Sequence, residues 1–394
     1  MAIILFDGNA HRTLLPLTFT RPVANLRIGI LTIAEKWARR YDLDFSYHTQ
    51  AYLSEKFPQK TEDRNLFING ALCPDEQLLE AIQKLHGGES LKYSGQLLAI
   101  KLSEGEAKSF YPDNDFGREV NYAGEPVMIK YPEDIFRLND TELRKDFQLL
   151  TQGRSSAHIS NTNVIIGDDF FAEDGAIADC STFNTKRGPI YLAADTEVWE
   201  GCHIRGGFAL CNNSQVKMGA KIYGATTIGP FCRVGGEINN SVIWGYSSKG
   251  HEGFLGNSVL GEWCNIGADS NNSNLKNNYA EVKLWDYTAE RFRKTGLQFC
   301  GLIMADHAKC AINTMFNTGT GVGVGANVFG AGFPRNFVPD FSWGGAQGYE
   351  TYTLKKMFET TEKVFERREN RTFDETERNI LKVVFEKTIS LRHF

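Results

Sequence analysis

From Leu192 onward an aliphatic residue recurs every six positions: Leu192, Val198, Ile204, Leu210, Val216, Ile222, Ile228 and Val234. Two residues ahead of them, from Val198 on, stand Thr196, Cys202, Phe208, Ser214, Ala220, Thr226 and Cys232, small in every case but one. An amphipathic helix would repeat near 3.6 and a half-buried strand near 2, so neither explains the spacing. A coil with three flat sides does, because each side needs one large inward residue and a small neighbour near the corner. The period restarts in a shifted frame at Phe254, Leu260 and Ile266, with Ser258 and Cys264 at the small position. It returns at Met304, Cys310, Phe316, Val322 and Val328, preceded by Ala308, Thr314, Thr320 and Ala326. The breaks in frame predict loops leaving the coil. The pattern predicts a hexapeptide-repeat parallel β-helix over about 161–329, in preference to an all-β sandwich. Stacked coils of this kind commonly bury their flat sides by self-association.

The flanks read differently. Short apolar runs at 2–6, 66–68, 97–102 and 127–129 alternate with helical stretches near 29–40 and 75–85, which predicts an α/β domain. Pro74-Asp75-Glu76 is a helix start of the acid-capped kind. Beyond FPRNFVPDFSWGG, residues 333–345, helical spacing of Leu354, Met357, Phe358, Thr361, Val364 and Phe365 predicts one helix, and Ile380, Leu381, Val384 and Phe385 a second. Their charged remainder reads as a solvated face, and the helices are expected to brace the solenoid. The division expected is 1–150, 155–345 and 350–394.

Composition narrows the function. At 394 residues the chain exceeds what one core usually supports. Its 38 glycines stand above the usual share of roughly 7%, as many tight corners require. A net charge of -5 without a block of like charges speaks against a nucleic-acid groove or a polybasic membrane patch and points to a small-molecule partner. No apolar stretch approaches the roughly 20 residues that cross a bilayer. MAIILFDGNAHR has neither a basic leader nor a small-residue cleavage site, and reads as a first buried strand. The eight cysteines form no CxxC pair, which fits reduced thiols in the cytoplasm rather than a disulfide framework or a zinc knuckle.

The chemical candidates gather at the first frame break: GYSSKGHEGFLGN at 245–257, then NIGAD at 265–269 and LKNNY at 275–279. With DHAKCAINTMFNTGT at 306–320, this region resembles the acetyltransferase half of the bifunctional glucosamine-1-phosphate acetyltransferase and N-acetylglucosamine-1-phosphate uridylyltransferase family. It resembles more closely the variant family with a shortened N-terminal domain, along nearly the whole chain. The resemblance implies a left-handed β-helix, a homotrimer, acetyl-CoA as acyl donor and an amino-sugar phosphate as acceptor. His251 stands where that family has its general base, and imidazole titrates close enough to neutrality to take the amine proton. Asn265 matches an asparagine near the acetyl site. Asn278 and Tyr279 match a pair that orients sugar and base, and Lys283 a phosphate-binding lysine. Lys249 and Arg233 are further phosphate candidates. Phe254 replaces a tyrosine three residues past the histidine, so a hydroxyl that would hold the sugar is lost. Asp306, Lys309 and Ala326 are expected along the acetyl-CoA path by the same analogy.

LLPLTFTRP at 14–22, then Arg27, Gly29 and Glu35-Lys36-Trp37, are similar to the opening of sugar-phosphate nucleotidyltransferases. Those enzymes cradle a triphosphate with backbone amides and a cation. Here the loop Asp7-Gly8-Asn9-Ala10-His11-Arg12 is poor in glycine, leaving Arg12, Arg21, Arg27 and Lys36 as nucleotide-binding candidates. The family's magnesium-binding aspartate falls near Asn69, a weak ligand for that ion. Uridylyl transfer is the second activity implied, with a degenerate, binding-only domain as its alternative. Two other readings compete for the solenoid: a non-catalytic sugar-nucleotide-binding scaffold, and a γ-class carbonic anhydrase-like zinc enzyme using His203, His251 and His307. The second lacks any HxxxxH pair.

Overall fold

In the computed structural model, which describes residues 1–114, 117–369 and 371–394, the chain forms two compact units. One comprises residues 1–26 and 31–131, the other residues 27–30 and 132–394. The first expected boundary, near 150, therefore moves to 131. The helices Pro132–Arg137 and Asn139–Thr151 belong to the second unit because their polar side chains are spent there. Asn139 Nδ2 donates to the Ala225 carbonyl at 2.9 Å and to Thr227 Oγ1 at 3.1 Å, and Glu133 takes both ends of the Arg293 guanidinium at 2.6 Å.

The first unit is a mixed six-stranded sheet in the order Phe45–His48, Ala2–Phe6, Arg64–Asn69, Gln96–Ser103, Glu89–Tyr93, Arg118–Asn121. The opening strand is parallel to both neighbours and buried on both faces, which is why it reads as an unbroken apolar run. Helix Ile33–Tyr41 starts with a capping box between Thr32 and Glu35, and helix Glu76–Gln83 is capped by Asp75, which accepts from the Leu78 amide at 2.8 Å. The expected strand at 127–129 is reduced to one bridge between Leu72 and Met128.

The second unit is a left-handed parallel β-helix with three sheets, whose strands are two to four residues long. The first face runs from Val164–Ile166 to Phe254–Gly256, the second from Phe170–Ala172 to Phe337–Val338, and the third from Ile177–Ala178 to Ser342–Gly345. Each aliphatic residue of the six-residue period points inward and stacks on its counterpart one coil away, making a single dry core. The solenoid continues past the expected end at 329 for one more coil, and Gly348–Thr351 pairs antiparallel with its last strand, covering that edge.

The frame breaks have two different causes. Between Val234 and Leu260 nothing leaves the coil. Corners are shortened, and the inward positions fall on Ile238, Ile243, Lys249 and Leu255. Leu255, not Phe254, enters the core, because the ladder pairs it with the inward Ile238. The second break, after Asn272, is a true excursion: residues 273–301 leave the solenoid and carry the hairpin of Lys283–Asp286 and Arg291–Lys294.

Helices Leu354–Glu369 and Glu375–Lys387 brace the side of the solenoid. The brace rests on a ladder of rings at one corner. Phe231, Tyr246, Trp263 and His307 all have φ between 58 and 62°. The left-handed conformation costs such residues about 1–2 kcal/mol each, and stacking partly offsets it. Tyr246 lies 5.1 Å from Phe231 and 4.1 Å from Trp263, nearly parallel to both. Phe365 of the first helix, fully buried, stacks on Trp263 at 4.0 Å.

Candidate functional site

His251 sits on the corner between the third-face strand Ser248–Lys249 and the first-face strand Phe254–Gly256. Its imidazole is exposed and has no hydrogen-bond partner among the described residues. Its backbone is held from two sides. Lys249 Nζ donates to the His251 carbonyl at 2.7 Å and the Gly235 carbonyl at 3.0 Å, and the Asp269 amide donates to the Glu252 carbonyl at 3.1 Å. Gly253, at φ 110°, passes so close to Ser270 that a Cβ would overlap the Ser270 carbonyl oxygen. The corner is thus a rigid mount for a ring that is free to meet solvent or a ligand.

Lys249 differs from its expected role. It is 1% exposed, at an inward position otherwise filled by Ala178, Val198, Val216, Val234, Ile266, Cys310 and Val328, so its ammonium is not presented to a phosphate. Burial pulls its pKa from 10.5 down to about 8. The outward residues of the same face form a ladder: Arg233 pairs with Ser248, Ser248 with Asn265, Asn265 with Lys309 and Lys309 with Asn327. Arg233 and Asn265 are exposed and floor a groove of about 770 Å³ walled by the first C-terminal helix through Glu359, Lys363, Arg367 and Arg368. Arg368 also donates to the Tyr246 carbonyl. The helix face expected to be merely solvated therefore presents cations to a groove. The Lys363 and Arg367 spacing of four was the available signal.

Two of the expected acetyl-CoA contacts have buried side chains. Asp306 is buried and accepts from the Glu262 amide at 2.8 Å, and the Ala326 side chain lies in the solenoid core. At Ala326 only the backbone is left for a ligand, because the three-sided coil turns every small-position residue toward the corner. Lys309 is partly buried, donates to the His307 carbonyl at 2.8 Å and is lowered to about 8, again chiefly by burial.

Asn278, Tyr279 and Lys283 ride on the excursion, all exposed, Tyr279 by 64%. Asn278 Oδ1 accepts from the Ala280 amide at 3.1 Å and fixes the turn. The excursion departs from the downstream end of the first face, whereas His251 stands at its upstream end. No hydrogen bond or ion pair joins His251 to Asn265, Asn278, Tyr279 or Lys283 among the described residues. Lys283 instead lines a pocket of about 870 Å³ with Trp285, Arg335, Phe337 and Tyr349. As for a zinc site, the described residues of one chain bring no three His, Cys, Asp or Glu side chains together to hold a metal. His203 lies exposed on a first-face strand and His307 is in the ring ladder.

In the N-terminal unit a pocket of about 310 Å³ opens where Ala2–Phe6 and Arg64–Asn69 end, lined by Gly8, Asn9, Asn69, Lys92, Gln96 and Asp113. Carboxyl ends of strands are where open α/β sheets bind ligands. The four expected cations lie elsewhere. Lys36 and Arg21 are buried, Arg12 is exposed on the one-turn helix Ala10–Thr13, and Arg27 belongs to the second unit. There Arg27 donates to the Ile30 carbonyl and sits 3.9 Å from Cys211 Sγ, while its own carbonyl accepts from Trp244 Nε1 at 3.2 Å. The cation at the pocket is Lys92, paired with Glu119, on a strand with no sequence signature to single it out. A magnesium ion does not fit at Asn69. Its Oδ1 already accepts from the Ala71 amide at 3.0 Å, and its Nδ2 donates to the Leu97 carbonyl at 3.0 Å. Nearby Asp7 is also spent, on the Val23 amide and Thr49 hydroxyl, and burial raises its pKa to about 6.

No curated protein matches the chain by sequence. Among solved structures, it is similar to the polySia specific acetyltransferase NeuO, at 14% identity over 50% of this chain and 84% of that one, with a TM-score of 0.27. The Francisella novicida UDP-N-acetylglucosamine acyltransferase gives 12% identity over 58% and 87%, TM-score 0.28, and the Arabidopsis one 15% over 59% and 93%, TM-score 0.23. Likenesses this remote carry no functional assignment. Residues 3–155, under half of the chain, match the profile of a family described as sugar nucleotidyl transferase.

No helix among the described residues is long and apolar enough to cross a membrane.

Proposed function

We propose that the solenoid transfers an acetyl group from acetyl-CoA to the amine of glucosamine 1-phosphate. The observation that carries the reading is an exposed His251 on a locked corner, one strand away from a cation-lined groove on the third face. In the reaction the amine nitrogen attacks the thioester carbonyl, His251 accepts the amine proton, and the tetrahedral adduct collapses to an amide as the CoA thiolate leaves. Asn265 would donate to the acetyl oxygen, and Arg233 would meet phosphate beside it. Asn278, Tyr279 and Lys283 would hold the sugar and its phosphate, reaching the His251 corner from a neighbouring copy in a homotrimer. Lys309 and the Ala326 backbone flank the donor path. The setting is the cytoplasm.

For the N-terminal unit the proposal is uridylyl transfer from UTP to the acetylated sugar phosphate, supported by the family match over residues 3–155. The occupied amide of Asn69 favours a second reading, sugar-nucleotide binding without turnover. Pyrophosphate release from UTP and N-acetylglucosamine 1-phosphate separates the two.

The acyl-transfer proposal is tested by following free CoA thiol with acetyl-CoA and glucosamine 1-phosphate. Turnover by the wild-type chain is expected. No thiol above background with any amino-sugar phosphate would leave the scaffold reading in its place.

A further inference from the structure

The pocket beside the excursion combines three features that one ligand class satisfies together. Its volume, about 870 Å³, lies in the range of sites that enclose drug-sized molecules. Its wall is aromatic: Trp285 stacks on Phe337 at 4.3 Å and 10°, and Phe292 meets the indole edge-on at 5.3 Å and 78°, leaving its own ring 41% exposed. Its cationic side chains outnumber its acidic one: Lys276, Lys283 and Arg335 line it with Glu290. Lys283 and Arg335 both line it, and neither side chain has a hydrogen bond or ion pair among the described residues.

The indole adds a fourth observation: Trp285 Nε1 is buried with no hydrogen-bond partner among the described residues. A buried donor left unpaired costs about 1–3 kcal/mol, and this one belongs to a side chain that lines the cavity. An acyl chain would fill the apolar volume but leave the indole N–H and two cations unanswered. Inorganic phosphate would answer the cations but not the aromatic wall. A flat heterocycle carrying both an acceptor and a phosphate answers all of them.

We propose that this pocket binds a nucleoside diphosphate, its base against the Phe292 and Trp285 rings and its phosphates on Lys283 and Arg335. The inference deepens the role proposed for Lys283 and rests on that reading only in taking its ammonium to meet a phosphate.

Calorimetric titration of the full chain with uridine diphosphate, adenosine diphosphate, uridine, glucosamine 1-phosphate and inorganic phosphate tests it. At least one diphosphate is expected to bind 10-fold or more tightly than glucosamine 1-phosphate, uridine or inorganic phosphate. Lys283→Gln with Arg335→Gln should remove that binding, and Trp285→Phe, which keeps the ring wall and deletes the donor, should weaken it several-fold. Because the N-terminal pocket is a second place for a nucleotide, Lys92→Gln is titrated in parallel. Binding lost in Lys92→Gln but kept in the double variant overturns the proposal, as does equal affinity for glucosamine 1-phosphate and the diphosphates, or no binding at all. These titrations need no turnover, so a chain that binds the diphosphate and releases no CoA thiol refutes the acyl-transfer reading alone.

Discussion

The ammonium of Lys249 lies 2.7 Å from the backbone oxygen of His251, donated from inside a column of aliphatic side chains. A charge there costs stability that valine, at the equivalent position of four other coils, does not. What it supplies is a donor to the His251 and Gly235 carbonyls, on the shortened corners of adjacent coils.

Lys249→Met keeps the volume and removes the charge. Relief of the buried charge and loss of the donor to two carbonyls, each about 1–3 kcal/mol, nearly offset. Thermal denaturation should therefore show a Tm within a few degrees of wild type, while kcat for acetyl transfer falls about 10-fold with KM little changed. Equal kcat would show that the corner holds without the lysine.

The same substitution has a pH signature. Burial lowers the folded pKa to about 8 against an ordinary 10.5, so between those values the unfolded chain binds more protons and stability rises with pH. The burial penalty is complete below pH 8 and gone above about 10.5. Urea unfolding across that window should show a smaller rise in Lys249→Met than in the wild type, the remainder including Lys309.

His251→Ala removes an exposed ring that no described residue hydrogen-bonds, so folding should be unaffected. If the ring is the base, CoA-thiol release falls by about 10²–10⁴, and the loss should shrink at high pH where free amine is abundant.

Gly253→Ala attacks the mount instead of the ring. At φ 110°, with the Ser270 carbonyl in the way, the added methyl must displace the coil above. Unfolding by urea should report a loss of about 1–3 kcal/mol, with hydrogen exchange quickened first in residues 250–256 and 269–272.

Phe365→Ala unseats the brace from the ring ladder. Deleting a buried phenyl costs about 3–5 kcal/mol, and the expected readout is faster proteolysis within residues 354–387 while the solenoid resists. Since Lys363 and Arg367 wall the third-face groove from that helix, KM for acetyl-CoA should rise along with the loss of protection.

By itself the sequence determined the solenoid, because a six-residue period with small corner residues satisfies a three-sided coil and no common alternative, and the inward side chains from Leu192 to Val234 follow from the period alone. It also determined both C-terminal helices and three of the six N-terminal strands, each carried by local apolar periodicity. His251 could be named as a candidate because its motif is contiguous, and the structure adds only that its ring is exposed on a fixed corner. Tertiary structure decided everything that depends on how a corner closes. Shortened corners moved the inward position from Phe254 to Leu255 and placed Lys249 in the core, and nothing local distinguishes a lost residue from a loop that departs. It also decided which cations face a cavity: Lys36 and Arg21 are buried and Arg27 sits in the other unit, while Lys363 lines a groove and Lys92 and Arg335, unremarkable in sequence, line pockets. The physical reason is that a charge acquires a role from the surface opposite it, and that surface comes from residues tens to hundreds of positions away.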